Sequence, residues 1–254
     1  MNRLQSELLR LYLARSPVHG EADAQPPTLI EAPNRVRAMV MELTRPPSWE
    51  LLCRVWQGVQ SELELPAPAI AVSGSDGLQL WFSLAEPVAA AQAHAFLECL
   101  RVRFLPDIDP KRVRLMPAAD ASAAQPERHA RLVPALQEHT GNWSAFLAAD
   151  LAPIFADTPW LDIAPNEEGQ ATLLRGMVSI KPAVFDEALK RLGPIATRVD
   201  AAPRLQPGNG TADEDPRRFL LRVMNDDSVA LALRIEAARA LLQHSDGHRP
   251  QRVD

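Results

Sequence analysis

Between Ala69 and Leu84 an apolar run, Ala69–Val72, and an alternating stretch, Leu78–Leu84, are separated by Ser73-Gly74-Ser75-Asp76-Gly77. Successive side chains of a strand point to opposite faces, so the pattern predicts two short strands joined by a glycine-bearing turn. On the second strand Leu78, Leu80, Phe82 and Leu84 share one face, and Gln79, Trp81 and Ser83 share the other. The first set predicts a core; the second predicts a surface that meets solvent or a ligand. Elsewhere the apolar period is helical. Leu4, Leu8, Leu11 and Tyr12 mark a short amphipathic helix over 3–14. Leu51, Leu52, Val55, Trp56, Val59 and Leu63 mark a longer one, with Ser48 at its N-cap and Pro66 past its end. Ala91, Phe96, Leu97, Leu100 and Phe104 mark a third over 88–104, with Pro87 near its start. Arg35–Leu43 and Arg112–Met116 read as strands.

The order strand, helix, strand, strand, helix, strand predicts an α+β fold. Its core is a ferredoxin- or RRM-like βαββαβ unit, an antiparallel sheet with two helices on one face and the other face open. Extra strands are expected at Leu132–Leu136 and Asn142–Ala148, and extra helices at Glu167–Met177 and Pro182–Leu192, with a solvated loop over 117–130. The organisation expected is an N-terminal helix and linker (1–33), the core (34–163), a helical extension (164–193), a linker (194–215) and a C-terminal helical hairpin (216–248).

Composition narrows the function only a little. At 46% hydrophobic and 23% charged residues, disorder along the whole chain is excluded. A net charge of -5 means that any nucleic-acid role depends on a local basic patch. No apolar run approaches the roughly 20 residues that span a bilayer, and the N-terminus has no apolar signal core, so a cytoplasmic protein without a membrane partner is expected. Cys53 and Cys99 read as reduced core thiols, and Trp49 with Trp56 as one buried helix face. The histidines are scattered without metal-ligand spacing, and the Ser73–Gly77 turn lacks the lysine of a phosphate-binding loop.

Four segments carry a resemblance: MVMEL (39–43), SGSDGLQLWFSLAEPV (73–88), VRLMP (113–117) and TGNWSAFLA (140–148). Together they resemble the archaeo-eukaryotic primase fold, with bacterial primase–polymerase-like proteins the nearest group, over residues 35–163. The resemblance implies an acidic pair at the end of the first strand, a histidine in the hairpin and a third acid further on, which together hold divalent metal. Here Glu42 stands alone with Thr44 where a second acid is expected, and Gln79 takes the place of the histidine. Asp120, the candidate third acid, falls in an alanine-rich loop. Two-metal phosphoryl transfer requires carboxylates that hold cations about 3.5–4 Å apart. A degenerate, non-catalytic site without a cofactor is therefore expected, with Mg or Mn only if Glu42 and Asp120 do act together.

Arg112 and Arg114 alternate so as to share the face of Gln79 and Trp81, whereas Arg35 and Arg37 fall opposite Glu42. Ser73, Gly74, Gln79, Trp81, Arg112 and Arg114 are thus the expected nucleic-acid contacts, with the indole stacking on a base. The C-terminal FLLRVMNDDSVALALRIEAARALL resembles the helical segment of small terminase subunits and related phage proteins. That resemblance implies a helix pair which must dock on something to bury its apolar stripe. Two functions stand side by side. One is a binder of single-stranded nucleic acid or nucleotide on the open sheet. The other is a protein-interaction module whose sheet is covered and whose residues 216–245 engage a partner or a second copy. A metal-dependent nucleotidyltransferase is the third.

Overall fold

In the computed structural model, residues 2–14, 28–31 and 33–193 are described; the expected linker and C-terminal hairpin lie outside them. The helices are α1 (Arg3–Leu11), α2 (Trp49–Ser61), α3 (Ala90–Phe104), α4 (Glu167–Arg175) and α5 (Pro182–Leu192). The strands are β1 (Ile30–Glu31), β2 (Arg35–Thr44), β3 (Ala69–Val72), β4 (Gly77–Ala89), β5 (Val113–Met116) and β6 (Ala145–Leu147). They form one open antiparallel sheet in the order β1-β2-β4-β3-β6, with β5 pairing β2 further along the edge that β1 occupies. Taken alone, the expected core strands are ordered β5-β2-β4-β3, the ferredoxin-like arrangement. The fold is α+β, as the element order predicts.

One face of the sheet meets α2, α3 and α5. Met39, Met41 and Leu43 of β2, Ile70 and Val72 of β3, and Leu78, Leu80 and Phe82 of β4 bury there against Leu52, Val55, Phe96, Leu100 and Phe185. Ser48 caps α2 by accepting from the Leu51 N–H, and Pro182 occupies the first turn of α5, where a missing N–H costs nothing.

The opposite face is not open, which corrects the expectation from the core pattern alone. α1 and α4 lie across much of it. Leu4, Leu8, Leu11, Ala171 and Leu174 join Ala38, Val40, Ala71, Trp81 and Phe146 in a second apolar cluster. Trp81 is 1% exposed, with Tyr12 edge-on at 5.2 Å and Phe146 edge-on at 5.7 Å. Ser83 is buried as well; its hydroxyl donates to the Leu11 carbonyl (2.7 Å) and accepts from Ser179. Gln170 of α4 clamps the outer backbone of β6, accepting from Phe146 N–H (2.7 Å) and donating to Phe146 C=O (2.9 Å). That side chain closes a strand edge which would otherwise invite another chain.

A register irregularity anchors α1. Val36 pairs with Val88 and Ala38 with Ser83, so β4 carries extra residues over Leu84–Pro87. This breaks the alternation on which the placing of Arg35 and Arg37 depends, and it carries β4 on to Ala89, past the expected helix start. Carbonyls freed by the irregularity take guanidinium donors: Arg35 donates to Pro87 C=O, and Arg37 Nε to Leu84 C=O (3.2 Å). Arg37 turns toward α1, on the Glu42 face rather than the opposite one. Its Nη atoms donate to the Arg10 (2.8 Å), Leu9 (3.2 Å) and Leu13 (3.4 Å) carbonyls, where a cation also complements the helix C-terminus. Arg37→Met is expected to lower unfolding free energy by about 2–4 kcal/mol, because it strands buried carbonyls. Urea denaturation of the two proteins checks this; an unchanged midpoint would separate Arg37 from the hold on α1.

Candidate functional site

Beyond the cover of α1 and α4, toward the β3–β4 turn, the second face of the sheet carries polar residues in cross-strand register. Glu42 of β2 pairs with Gln79 of β4 on one side and with Arg114 of β5 on the other. One step further lie Thr44, paired with Gly77, and Ser73, whose N–H donates to Gly77 C=O. The row opens into a cleft of about 680 Å³, lined also by Arg45, Ser75, Asp76 and Met116 and by side chains of the segment 127–144.

The turn is shaped by its own hydroxyl. Ser73 Oγ accepts from the Gly77 (3.0 Å) and Ser75 (3.2 Å) N–H groups, an arrangement that replaces missing ladder bonds. Gly74 has φ +79°, and a Cβ there would meet Ser144 N at 2.8 Å and Gln137 Cγ at 2.9 Å. The segment 137–144 therefore closes directly on the turn, and Gln137 Nε2 donates to Ser73 C=O (3.2 Å). At Gly77 a Cβ would fall 2.3 Å from Glu42 Oε1, so the missing side chain makes the space that the carboxylate fills.

Glu42 is 3% exposed, and its Oε1 is the buried side-chain polar atom left without a hydrogen-bond partner among the described residues. Burial raises its pKa above the usual carboxylate range, against the nearby Arg114 guanidinium; Asp76 raises it further, and polar contacts from Gln79 and Ser73 lower it. Arg114 Nη1 stands 3.8 Å from Glu42 Oε1 and 3.7 Å from Asp76 Oδ1. Asp76 has a second partner in Arg45 Nε (2.9 Å). Burial pushes the Asp76 pKa up, but the Arg45 hydrogen bond, the two arginine charges and Ser75 outweigh it and hold the carboxyl below its ordinary value.

Trp81 lies one row further in, and its indole N–H donates to Gln79 Oε1 (2.8 Å). Indole is only a donor, so this bond orients the amide and turns its NH₂ toward Glu42. Gln79 lines the cleft as an oriented amide, while Trp81 offers no face for stacking a base. Arg112 also departs from expectation. It lies in a 3-10 turn ahead of β5 and donates to Pro46 (2.7 Å) and Thr44 (3.4 Å) carbonyls, away from the cleft. Asp120 is exposed and paired with Arg128 (2.6 Å), outside the cleft lining. The structure thus brings together Ser73, Gln79, Arg114 and Glu42, with Gly74 in the turn, and leaves out Trp81, Arg112 and Asp120.

Sequence reasoning missed Asp76, Arg45 and His129. Asp76 was legible as the only acid in the turn; His129 carried no signal, because residues 117–130 read as solvated. His129 is instead buried. Its Nε2 donates to Ala38 C=O (3.1 Å), between the stretches of β2 that pair with β1 and β5, and its Nδ1 accepts from Ala130 N–H (2.6 Å). This arrangement needs the neutral ring.

The donor set does not fit the divalent cation pair that the resemblance implies. The Arg114 guanidinium stands against both Glu42 and Asp76, where a bound cation would have to sit. No cluster of three or more metal-ligating side chains occurs among the described residues.

Burial lowers the His129 pKa from 6.5 to about 4, against the hydrogen bond to Ala38. Between these values the unfolded chain binds more protons than the folded one. The histidine's contribution is therefore complete above about pH 6.5 and is lost as pH falls toward 4, about 3 kcal/mol in all. Unfolding free energies measured across that range should fall more steeply toward pH 4 in the natural chain than in His129→Gln; equal slopes would show a solvated ring.

Comparisons with known proteins add little. No protein-family model matches the sequence, and no curated protein matches it. Among solved structures, the polymerase domain from Mycobacterium tuberculosis Ligase D in complex with DNA is similar at 18% identity with a TM-score of 0.35. The match covers 76% of this chain and 62% of that one, so this chain spans less than two thirds of its length.

Proposed function

We propose that the protein binds a phosphate-bearing ligand of the nucleotide class in the cleft between the β3–β4 turn and the segment 127–144, and performs no phosphoryl transfer there. One observation carries this reading: the cleft sets the half-exposed guanidinium of Arg114 beside the buried Oε1 of Glu42, which accepts no hydrogen bond. A ligand with both an anionic group and an N–H donor satisfies the two at once, and a nucleotide has both. The size of the cleft is that of a small-molecule site rather than a track for a strand.

Carboxylates and arginines balance in the lining, Glu42, Asp76 and Glu127 against Arg45, Arg114 and Arg131, but they differ in depth. Glu42 is buried, whereas the side chains of Arg45 and Arg114 are 75% and 47% exposed, so an arriving anion meets guanidinium first. Ser75 and Thr140 add hydroxyls to the lining. With both cleft carboxylates nearest the turn already set against arginine, binding is better supported than metal-assisted transfer.

Exposed Leu151, Ile154 and Ile163 favour a second reading, a protein-interaction module. Calorimetric titration with ATP at two salt concentrations separates the two. Salt-sensitive binding that weakens about tenfold or more in Arg114→Ala is expected. A protein that ignores ATP and self-associates in sedimentation would favour the interaction module. Binding of a (dT)12 oligonucleotide that ATP does not displace would restore a strand-binding surface.

A further inference from the structure

The ion pairs of the cleft are unequal, and the inequality has a consequence for binding. Asp76 is held by two guanidinium groups, Arg45 and Arg114. Glu42 is paired with Arg114, and no second guanidinium pairs with it among the described residues. The side chain of Arg114 is half exposed on β5, whereas that of Glu42 is 5% exposed at the floor. Arg45 is more exposed but is hydrogen-bonded to Asp76 (2.9 Å), whereas Arg114 comes no nearer than 3.7 Å to either carboxylate. Arg114 is therefore the guanidinium freer to turn outward to an anion, and Glu42 is the group that then loses its counter-charge.

We propose that anion binding at Arg114 is coupled to uptake of one proton by Glu42, so that occupancy of the cleft depends on pH. This rests on the ligand reading above and describes the regulation of that same site. The groups facing Glu42 fix the direction. Gln79 on β4 and Ser73 at the end of β3 are neutral, and Asp76 in the turn is an anion that repels an ionised Glu42. From the segment that closes the cleft come Glu127, His129, Arg131 and His139; His129 is neutral, and Arg131 donates to Gln137 Oε1 (3.2 Å). Once Arg114 turns to an anion, Glu42 is left buried beside Asp76 with a neutral ligand N–H on Oε1 in place of a full positive charge, so the ionised carboxyl costs more than the protonated one. Burial already holds the carboxyl pKa high in the free protein, and removal of the guanidinium raises it further.

The sign follows from linkage. The Glu42 pKa is higher with ligand bound than without it, so binding takes up a proton in the window between the two values. Affinity falls as pH rises through that window, by up to tenfold per pH unit for one proton, and this component is flat on either side.

Calorimetry with ATP in two buffers of different protonation enthalpy counts the protons. The ATP phosphates also titrate, so the readout is the difference between the natural chain and Glu42→Gln. The natural chain should take up as much as one proton more in the window, and equal proton counts would overturn the coupling. Failure of the natural chain to bind ATP at all would instead sink the ligand reading, and the coupling with it. A ligand-free measurement tests the ion pair by itself: the Glu42 carboxyl, followed by NMR, should titrate at higher pH in Arg114→Met than in the natural chain. An identical pKa in the two proteins would show that Arg114 does not govern the Glu42 charge and would overturn the proposal.

Discussion

Four carbonyl oxygens, from Leu9, Arg10, Leu13 and Leu84, converge on the buried guanidinium of Arg37. Three of them belong to the end of α1 and the residues that follow it, and one belongs to β4. This tie holds the N-terminal helix on the sheet, and the architecture of the second face follows from it. With α1 in place, Tyr12 stacks against Phe146 at 6.0 Å and sets its edge to Trp81. The aromatic trio then forms the centre of an apolar layer that also takes in Leu174 of α4. Each aromatic ring buries a large area, so the layer contributes substantially to holding α1 on the sheet.

The cover stops where the sequence of the sheet turns polar. At the row of Gln79, Glu42 and Arg114 the facing residues come from the segment 127–144 rather than from a helix, and a cleft remains. Trp81 links the two regions, since its ring closes the apolar layer while its N–H fixes the amide of Gln79. The polar row is thus ordered from beneath by the apolar layer. Its electrostatics are arranged by depth, with a carboxylate at the floor and guanidinium groups at the rim. An ionised Glu42 in that position is costly, and the space that Gly77 leaves for it shows that the backbone accommodates the side chain.

Much of the architecture was legible in the sequence because it rests on local periodicity. The two faces of β4, the N-cap at Ser48 and the span of α5 each follow from neighbours within a few residues. What covers a face depends on residues far apart along the chain, and alternation carries no information on that. Trp81 reads identically whether its face meets water or α1. The face of Arg37 was lost for a related reason: alternation holds only while the ladder is regular, and the Leu84–Pro87 irregularity breaks it. In the cleft, Glu42 and Gln79 were readable by register, and Asp76 was visible in the turn. Arg112 was misplaced because its backbone leaves the strand one residue early. His129 was unreadable because its partner, the Ala38 carbonyl, is exposed only by the gap between β1 and β5.

Hydrogen exchange at the Trp81 indole N–H tests the central claim most directly, with the resonance assigned through Trp81→Phe. Burial beneath α1 and the bond to Gln79 predict strong protection. Exchange as fast as that of a surface indole would mean that the face is open and that the account of the cleft is wrong.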